Sequence, residues 1–197
     1  MNISKLIKST VFTVALFSTI NGFSQDNMKK EKMKTEKTVM VGGAEMYPSK
    51  TIVANAVNSK EHTTLIAAVK AAGLVETLSS DGPFTVFAPT NAAFAKLPEG
   101  TVETLLQPEN LTTLQTILKN HVVAGTLNAK TLLKLIKKGD GKAELTTVSG
   151  GLLTVWVKDK EVYITDQNGN SAKVTIVDVN QSNGVIHVID TVVLPKA

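Results

Sequence analysis

Apolar residues recur at helical spacing through residues 52–136. Between Leu65 and Ala72 they repeat at intervals of three and four, and Gly73 stands where a helix-ending glycine belongs. Asn128 precedes a similar run that stops at Gly139, as expected of a residue that caps a helix. Runs of this kind predict helices within residues 52–57, 65–72, 102–106, 111–118 and 129–136.

The pattern changes to a period of two after residue 150. Leu153, Val155 and Val157 alternate along the chain, and turn-forming clusters divide the remainder into short runs. The last run, residues 185–194, is nearly all apolar, so we expect both of its faces to be buried. Helices followed by strands indicate one α+β domain with a mostly antiparallel sheet and about five to six helices. The predicted strands are residues 84–88, 153–157, 162–164, 174–179 and 185–194.

The first 41 residues have a different texture. Lys5 and Lys8 precede an apolar stretch, residues 11–20, that is too short to span a bilayer. We interpret residues 1–24 as a signal peptide, with an uncleaved anchor as the alternative, and expect no transmembrane segment after cleavage. Residues 25–41 predict a charged flexible tether, or alternatively a weak electrostatic contact with anionic lipid or cell-wall polymer.

These segments leave residues 42–196 for the folded domain. A signal peptide predicts export, so we expect the protein in the periplasm, outside the cell or associated with the cell surface. Cysteine is absent from the chain, which excludes disulfides, thiolate metal sites and a cysteine nucleophile.

The distribution of charge argues against nucleic-acid binding. All 21 basic residues are lysine, and from Val39 onward lysines and acidic residues are equal in number. A balanced domain without arginine lacks the bidentate groups that read guanine or phosphate, and no clustered basic face is expected.

Three segments resemble the conserved boxes of the fasciclin (FAS1) domain family. They occur in the family's order and at its separations, and a lead-in at residues 41–59 resembles that of small exported bacterial members. The resemblance covers residues 42–195 and implies a β-wedge with helices packed around it. The boxes read FTVFAPTNAAFAKLP at residues 84–98, NHVVAGTL at 120–127 and NGVIHVIDTVVLP at 183–195.

The first and last boxes contain candidate structural residues. Pro89 ends a strand, and Thr90 is suited to cap a short helix that turns Ala92, Ala93 and Phe94 inward. Phe84 and Phe94 are predicted core residues. The complete set is Phe84, Pro89, Thr90, Asn91, Phe94, Gly184, His187 and Asp190.

His187 and Asp190 fall on opposite faces of a regular strand, so they are not expected to form a catalytic dyad. We interpret His187 as a buried histidine with a hydrogen-bond partner, and ligand contact is the alternative.

The central box supplies the candidate interaction residues Asn120, His121, Val122 and Val123. In the family the equivalent place often reads Tyr-His, and in animal members that segment is associated with integrin-dependent adhesion. Asn120 replaces the aromatic residue here, which removes a large anchor. The alternative role for His121 is to fix a junction between a helix and a strand.

Leu152, Trp156 and Tyr163 are a second candidate site. If these side chains are exposed together, they form an apolar patch for a ligand; if they are buried, they belong to the core.

No catalytic machinery is evident. The three histidines, His62, His121 and His187, lack metal-ligand spacing, and His62 lies in a polar helix start where it is expected to face solvent. We therefore predict no enzyme activity, metal or cofactor.

Two classes of function remain. The resemblance implies an adhesion or interaction module whose partner is a cell-surface or matrix protein, a polysaccharide or a second copy of the chain. The alternative is a carrier of an apolar small molecule such as a carotenoid or a lipid.

Overall fold

The computed structural model describes residues 36–196, in which seven α-helices accompany two β-sheets. The predicted signal peptide and residues 25–35 of the predicted tether lie outside these residues. The helices are α1 Ile52–Ala56, α2 Thr63–Ala71, α3 Val75–Ser79, α4 Asn91–Phe94, α5 Thr101–Leu105, α6 Leu111–Asn120 and α7 Ala129–Lys138. The strands are β1 Val39–Val41, β2 Ala44–Met46, β3 Phe84–Pro89, β4 Val122–Ala124, β5 Lys142–Thr146, β6 Leu152–Lys158, β7 Glu161–Thr165, β8 Ser171–Gln181 and β9 Gly184–Ile189.

Side-chain caps start three of the helices. The side chains of Thr51, Thr90 and Asn128 each accept a hydrogen bond from the N–H three residues further along, at 3.3, 3.2 and 2.9 Å. The predicted caps at Thr90 and Asn128 are confirmed. The spacing of apolar residues did not predict α3. Leu78 is the only buried residue of this five-residue helix, so the helix shows no repeat of apolar positions.

The larger sheet has seven strands in the order β4-β3-β9-β8-β7-β6-β5. β3 and β9 are parallel, and every other neighbouring pair is antiparallel, so the predicted α+β class and mostly antiparallel sheet are confirmed. The two edges approach each other, since Val123 bridges to Thr147 and the Val148 N–H donates to the Val122 carbonyl at 2.8 Å. The sheet is therefore a wedge that curves toward a barrel.

β3 and β9 divide the interior into two cores. Val86 and Ile186 point into one core, which they share with helices α1, α2 and α6. Phe87 and Ile189 point into the other, which α7 covers from the far side. Every residue of β9 is buried, as its apolar sequence predicted.

The last strand is shorter than predicted. β9 ends at Ile189 rather than at residue 194. The Asp190 N–H still donates to the Lys173 carbonyl at 3.2 Å, but the Lys173 N–H donates to the Asp190 carboxylate at 2.9 Å, so the backbone ladder stops there. Val192 and Val193 remain buried without being in a strand. A continuous apolar run therefore did not mark the end of the strand.

The ordered domain begins before the predicted boundary. β1, which falls inside the predicted tether of residues 25–41, pairs with β2, and the Val41 side chain is only 3% exposed. The charged residues that precede this three-residue strand obscured it in the sequence. The tether prediction was therefore too long by at least these three residues.

Replacing Gly184 tests the close approach of β9 to β3. A Cβ atom at this position would overlap the Phe84 carbonyl oxygen, whereas a Cβ at Gly150 would have no atom within 4 Å. We expect Gly184→Ala to lower the free energy of unfolding by about 3 kcal/mol. Gly150→Ala, which meets only backbone strain at its φ of 85°, should cost about 1 kcal/mol. Urea denaturation measures both, and equal costs would contradict the packing argument.

Candidate functional site

The four candidate interaction residues of the central box are buried, so the prediction that these side chains form a contact surface is wrong in this structure. Asn120, His121, Val122 and Val123 are between 1% and 6% exposed. The reason is their position: α6 ends here against both the sheet and the C-terminal segment. The alternative role of His121, fixing the junction between helix and strand, agrees with its contacts.

His121 uses both ring nitrogens inside the domain. Its Nδ1 lies 2.8 Å from the Ile117 carbonyl, and its Nε2 lies 3.2 Å from the Val193 N–H. These partners assign the proton to Nδ1, which donates, while Nε2 accepts. Burial lowers the pKa of His121 to about 4, although the Ile117 carbonyl and the charge of Asp166 oppose the shift.

The Asn120 side chain forms hydrogen bonds at the place where the two edges of the sheet approach each other. Its Oδ1 accepts hydrogen bonds from the hydroxyls of Thr147 and Ser149, each at 3.3 Å, and its Nδ2 lies 3.5 Å from the Val193 carbonyl. The amide therefore joins α6, the β5–β6 turn and the C-terminal segment. An aromatic side chain could not make these three contacts.

His187 is buried and fully hydrogen-bonded, as predicted. Its Nε2 donates to the Leu127 carbonyl at 2.8 Å, its Nδ1 accepts from the Asp178 N–H at 3.3 Å, and its ring stacks on Phe87. Burial lowers the pKa of His187 despite its bond to the Leu127 carbonyl.

His62 does not face solvent, which corrects the sequence-based expectation. Its ring is 3% exposed, and its Nδ1 lies 2.8 Å from the Ser59 hydroxyl. Its Nε2 has no hydrogen-bond partner among residues 36–196 and borders a small apolar cavity of about 40 Å³. Burial lowers the pKa of His62, and the Glu61 charge opposes that shift.

The first box joins two helices to the sheet. Asn91 accepts the Thr64 N–H and donates to the Lys60 carbonyl, both at 3.0 Å, which fixes α4 against the start of α2. Phe84 and Phe94 are half-buried and pack against the core, while Ala92 is exposed, contrary to the prediction that it turns inward.

Asp190 and His187 do not form a dyad, because their side chains have no partner in common and do not bond to each other. The Asp190 carboxylate accepts hydrogen bonds from the Lys173 N–H at 2.9 Å and the Thr191 hydroxyl at 3.0 Å, and pairs with Lys96 at 3.2 Å. Burial alone would raise the pKa of Asp190, but these three partners together lower it.

Trp156 and Tyr163 form a stacked pair on the outer face of the sheet, which we define as the side of β5–β8 that faces away from α7. The two residues are in register, their ring centroids are 4.9 Å apart, and both side chains are half-buried. The Trp156 Nε1 donates to the Thr165 hydroxyl at 2.9 Å, and the Tyr163 hydroxyl donates to Glu161 at 3.1 Å. These bonds hold both rings in place.

Leu152 lies on the same face but not beside the pair. It is 37% exposed and lies four positions before Trp156 along β6, which corresponds to a distance of about 13 Å. The structure thus brings two of the three predicted patch residues together and leaves the third apart.

Lysines outnumber acidic residues in one part of the sequence, residues 129–175. Residues 129–175 contain eight lysines and five acidic residues, whereas the rest of the described chain has seven lysines and ten acidic residues. One acid of the first group, Asp166, is buried and accepts backbone N–H groups. In the structure, Lys160 of the β6–β7 turn lies near Leu133 of α7.

Within residues 36–196, no group of three or more histidine or acidic side chains is arranged to hold a metal ion. In the same part of the chain, no helix combines the length and apolar character needed to cross a membrane.

Comparison with known proteins agrees with the architecture. The Fasciclin domain family model matches residues 60–195. Protein sll1483 of Synechocystis is 45% identical over 189 residues, which cover 94% of this chain and 98% of that relative. Cell surface glycolipoprotein MPB83 of Mycobacterium bovis is 36% identical over 63% of this chain and 49% of that relative.

The solved FAS1 domain pair of the insect cell adhesion molecule Fasciclin I superposes with a TM-score of 0.66. Sequence identity is 21%, and the match covers 75% of this chain and 52% of the insect chain. The chain therefore belongs to the fasciclin domain family.

The pKa of His121 predicts acid sensitivity. Its pKa is about 4 in the folded state and about 6.5 in an unfolded chain, so the unfolded state takes up the proton first. Its contribution to stability is complete above about pH 6.5 and is lost as the pH falls toward 4, by about 3 kcal/mol in total. We expect urea unfolding at pH 7 and pH 4.5 to show a larger loss for the native protein than for His121→Gln.

His62, His187 and the carboxylates titrate in both proteins, so the difference between the two pH profiles isolates His121. An NMR titration of the native ring provides a second measurement if the variant does not fold. A ring pKa near 6.5 would contradict this account.

Proposed function

We propose that the protein is an exported, non-enzymatic interaction module that mediates cell-surface, matrix or biofilm contacts. Membership of the fasciclin domain family supports this proposal. One relative is named as a cell surface glycolipoprotein, and the superposed insect domains belong to a cell adhesion molecule. The predicted export signal is consistent with such a location.

The observation that carries the proposal is the outer face of the sheet. The side chains of Asn120, His121 and His187 in the conserved boxes are engaged inside the domain. Trp156 and Tyr163, in contrast, are half-exposed and held by hydrogen bonds on the sheet surface. Aromatic side chains with a fixed geometry and a polar edge are frequent anchors of interfaces. A cell-surface or matrix partner, or a second copy of the chain, would bind at this face.

A carrier of an apolar small molecule is the second candidate function. A pocket of about 290 Å³ lies between the α4–α5 loop, α6 and the C-terminal segment, and almost all of its surface is apolar. Its lining includes Phe94, Leu97, Leu105, Ile117 and Val192. This volume approaches the lower end of the range for ligand sites, and the pocket does not involve the patch that the sequence suggested.

Attachment of coated beads tests the interaction module. Beads carrying the exported protein should attach to source cells that lack its gene, and replacing Trp156 and Tyr163 by Ala should reduce attachment about tenfold. Leu111→Ala, at an exposed leucine of α6, should have little effect. Attachment no better than that of albumin-coated beads would overturn the proposal, and clumping of coated beads without cells would identify a second copy as a partner.

Mass spectrometry of an organic extract of the exported protein tests the carrier. If the protein is a carrier, a stoichiometric apolar compound should be present, and Leu97→Trp, which fills the pocket, should remove it. Trp156→Ala should leave the compound bound, because that side chain lies outside the pocket. An extract free of such a compound would exclude the carrier role.

A further inference from the structure

A groove opens beside the outer face where two strands separate. β7 pairs with β8 through only three residues, after which β8 continues along β9. The gap forms a groove of about 490 Å³ that extends to α7. Lys173, which is in register with Tyr163, and Glu161, which accepts the Tyr163 hydroxyl, both line the groove, so the aromatic pair lies next to its rim.

The floor of the groove carries exposed apolar side chains. Leu133 of α7 and Val177 of β8 both line it, although they are 48% and 40% exposed. Thr175, whose side chain carries a hydroxyl group, also lines the groove. The groove thus offers apolar surface together with polar groups along its length.

Four lysines lie in or near this groove. Lys160 and Lys173 line the groove directly, and Lys130 and Lys137 lie on the same face of α7 as Leu133, at helical spacings of three and four. Four acids also lie in this region. Asp159 precedes Lys160 in the β6–β7 turn, and the Asp190 carboxylate accepts the Lys173 N–H at 2.9 Å. Glu161 is paired with Lys173 at 2.6 Å, and Asp178 accepts the Ala129 N–H at 2.6 Å. Lys130, Lys137 and Lys160 form no ion pair within residues 36–196, which leaves three cationic groups for an anionic partner.

The combination favours a sugar polymer over other polyanions. A pyranose ring has an apolar face of C–H groups that packs on leucine, valine or an aromatic ring, while its hydroxyls and carboxylates require polar and cationic partners. A polypeptide of acidic residues would use the lysines but not the apolar floor. A lipid surface is less suitable, because Leu133 and Val177 lie within a groove and a planar membrane is reached by protruding side chains.

We propose that the groove between β7 and β8, together with the Trp156–Tyr163 pair, binds an acidic polysaccharide whose sugar units carry carboxylates. The apolar faces of the sugar rings pack on Leu133, Val177 and the aromatic pair. The carboxylates meet the lysines on the groove's rim. This inference rests on the proposed function as an interaction module and names the chemical class of its partner.

Binding of defined polymers to the exported protein tests the proposal. Polygalacturonate is the probe, and dextran, polyglutamate and phosphatidylglycerol vesicles are the comparisons. We expect polygalacturonate to bind and its affinity to fall as salt is added, because the lysines are exposed to solvent. Dextran should not bind, and polyglutamate and the vesicles should bind more weakly than polygalacturonate.

Two pairs of matched variants locate the site. Replacing Lys130, Lys137 and Lys160 by Gln should raise the Kd about tenfold. Replacing Lys60, Lys70 and Lys119 by Gln changes the net charge equally and should alter the Kd less than about twofold. Leu133→Ser should weaken binding about fivefold, whereas Leu111→Ser, on another exposed helix face, should not.

Equal effects of the two lysine triplets would overturn the proposal, because the attraction would then reflect net charge alone. It would also be overturned if polyglutamate or the vesicles bound as tightly as polygalacturonate, or if polygalacturonate did not bind. Coated beads that attach to cells without any affinity for polygalacturonate would refute this inference and leave the interaction module intact. Absence of bead attachment would refute the module itself.

Discussion

The parallel pairing of β3 with β9 is the constraint on which the rest of the fold depends. Six residue pairs, from Phe84–Gly184 to Pro89–Ile189, join strands that lie 100 positions apart. Both strands are apolar on two faces, so each face needs a separate covering layer. α1, α2 and α6 supply one layer, and α7 with β5–β7 supplies the other.

Hydrogen bonds from buried polar side chains hold these layers together. Asn183 accepts the Ile52 N–H at 2.9 Å and donates to the Leu78 and Ser80 carbonyls at 2.9 and 2.8 Å, which ties α1 and α3 to the β8–β9 turn. His121 and Asn120 perform the same task at the end of α6. A buried polar group without a partner costs about 1–3 kcal/mol, so these side chains are committed to the interior.

The candidate binding surfaces are those that the two larger cores leave open. β8 pairs with β7 over Ser171–Lys173 and with β9 from Val174 onward, and the β8–β9 pairing contains two register irregularities, between Val174 and Ile176 and between Ile176 and Val179. The change of partner opens the groove, and the alternation of side chains along β6 and β7 leaves Trp156 and Tyr163 on the face that α7 does not cover. β8 thus contributes buried residues to the core beneath α7 and also borders the candidate binding surface.

The sequence alone determined the α+β class, the helix caps at Thr90 and Asn128, the burial of β9 and the family resemblance, because each depends on local pattern or short motifs. Tertiary structure decided the burial of His62 and His121, the end of β9 at Ile189 and the approach of Lys160 to α7. These depend on contacts between distant residues: α6 packs against the C-terminal segment, and strand register places Lys160 near Leu133. Local periodicity carries no information about such contacts.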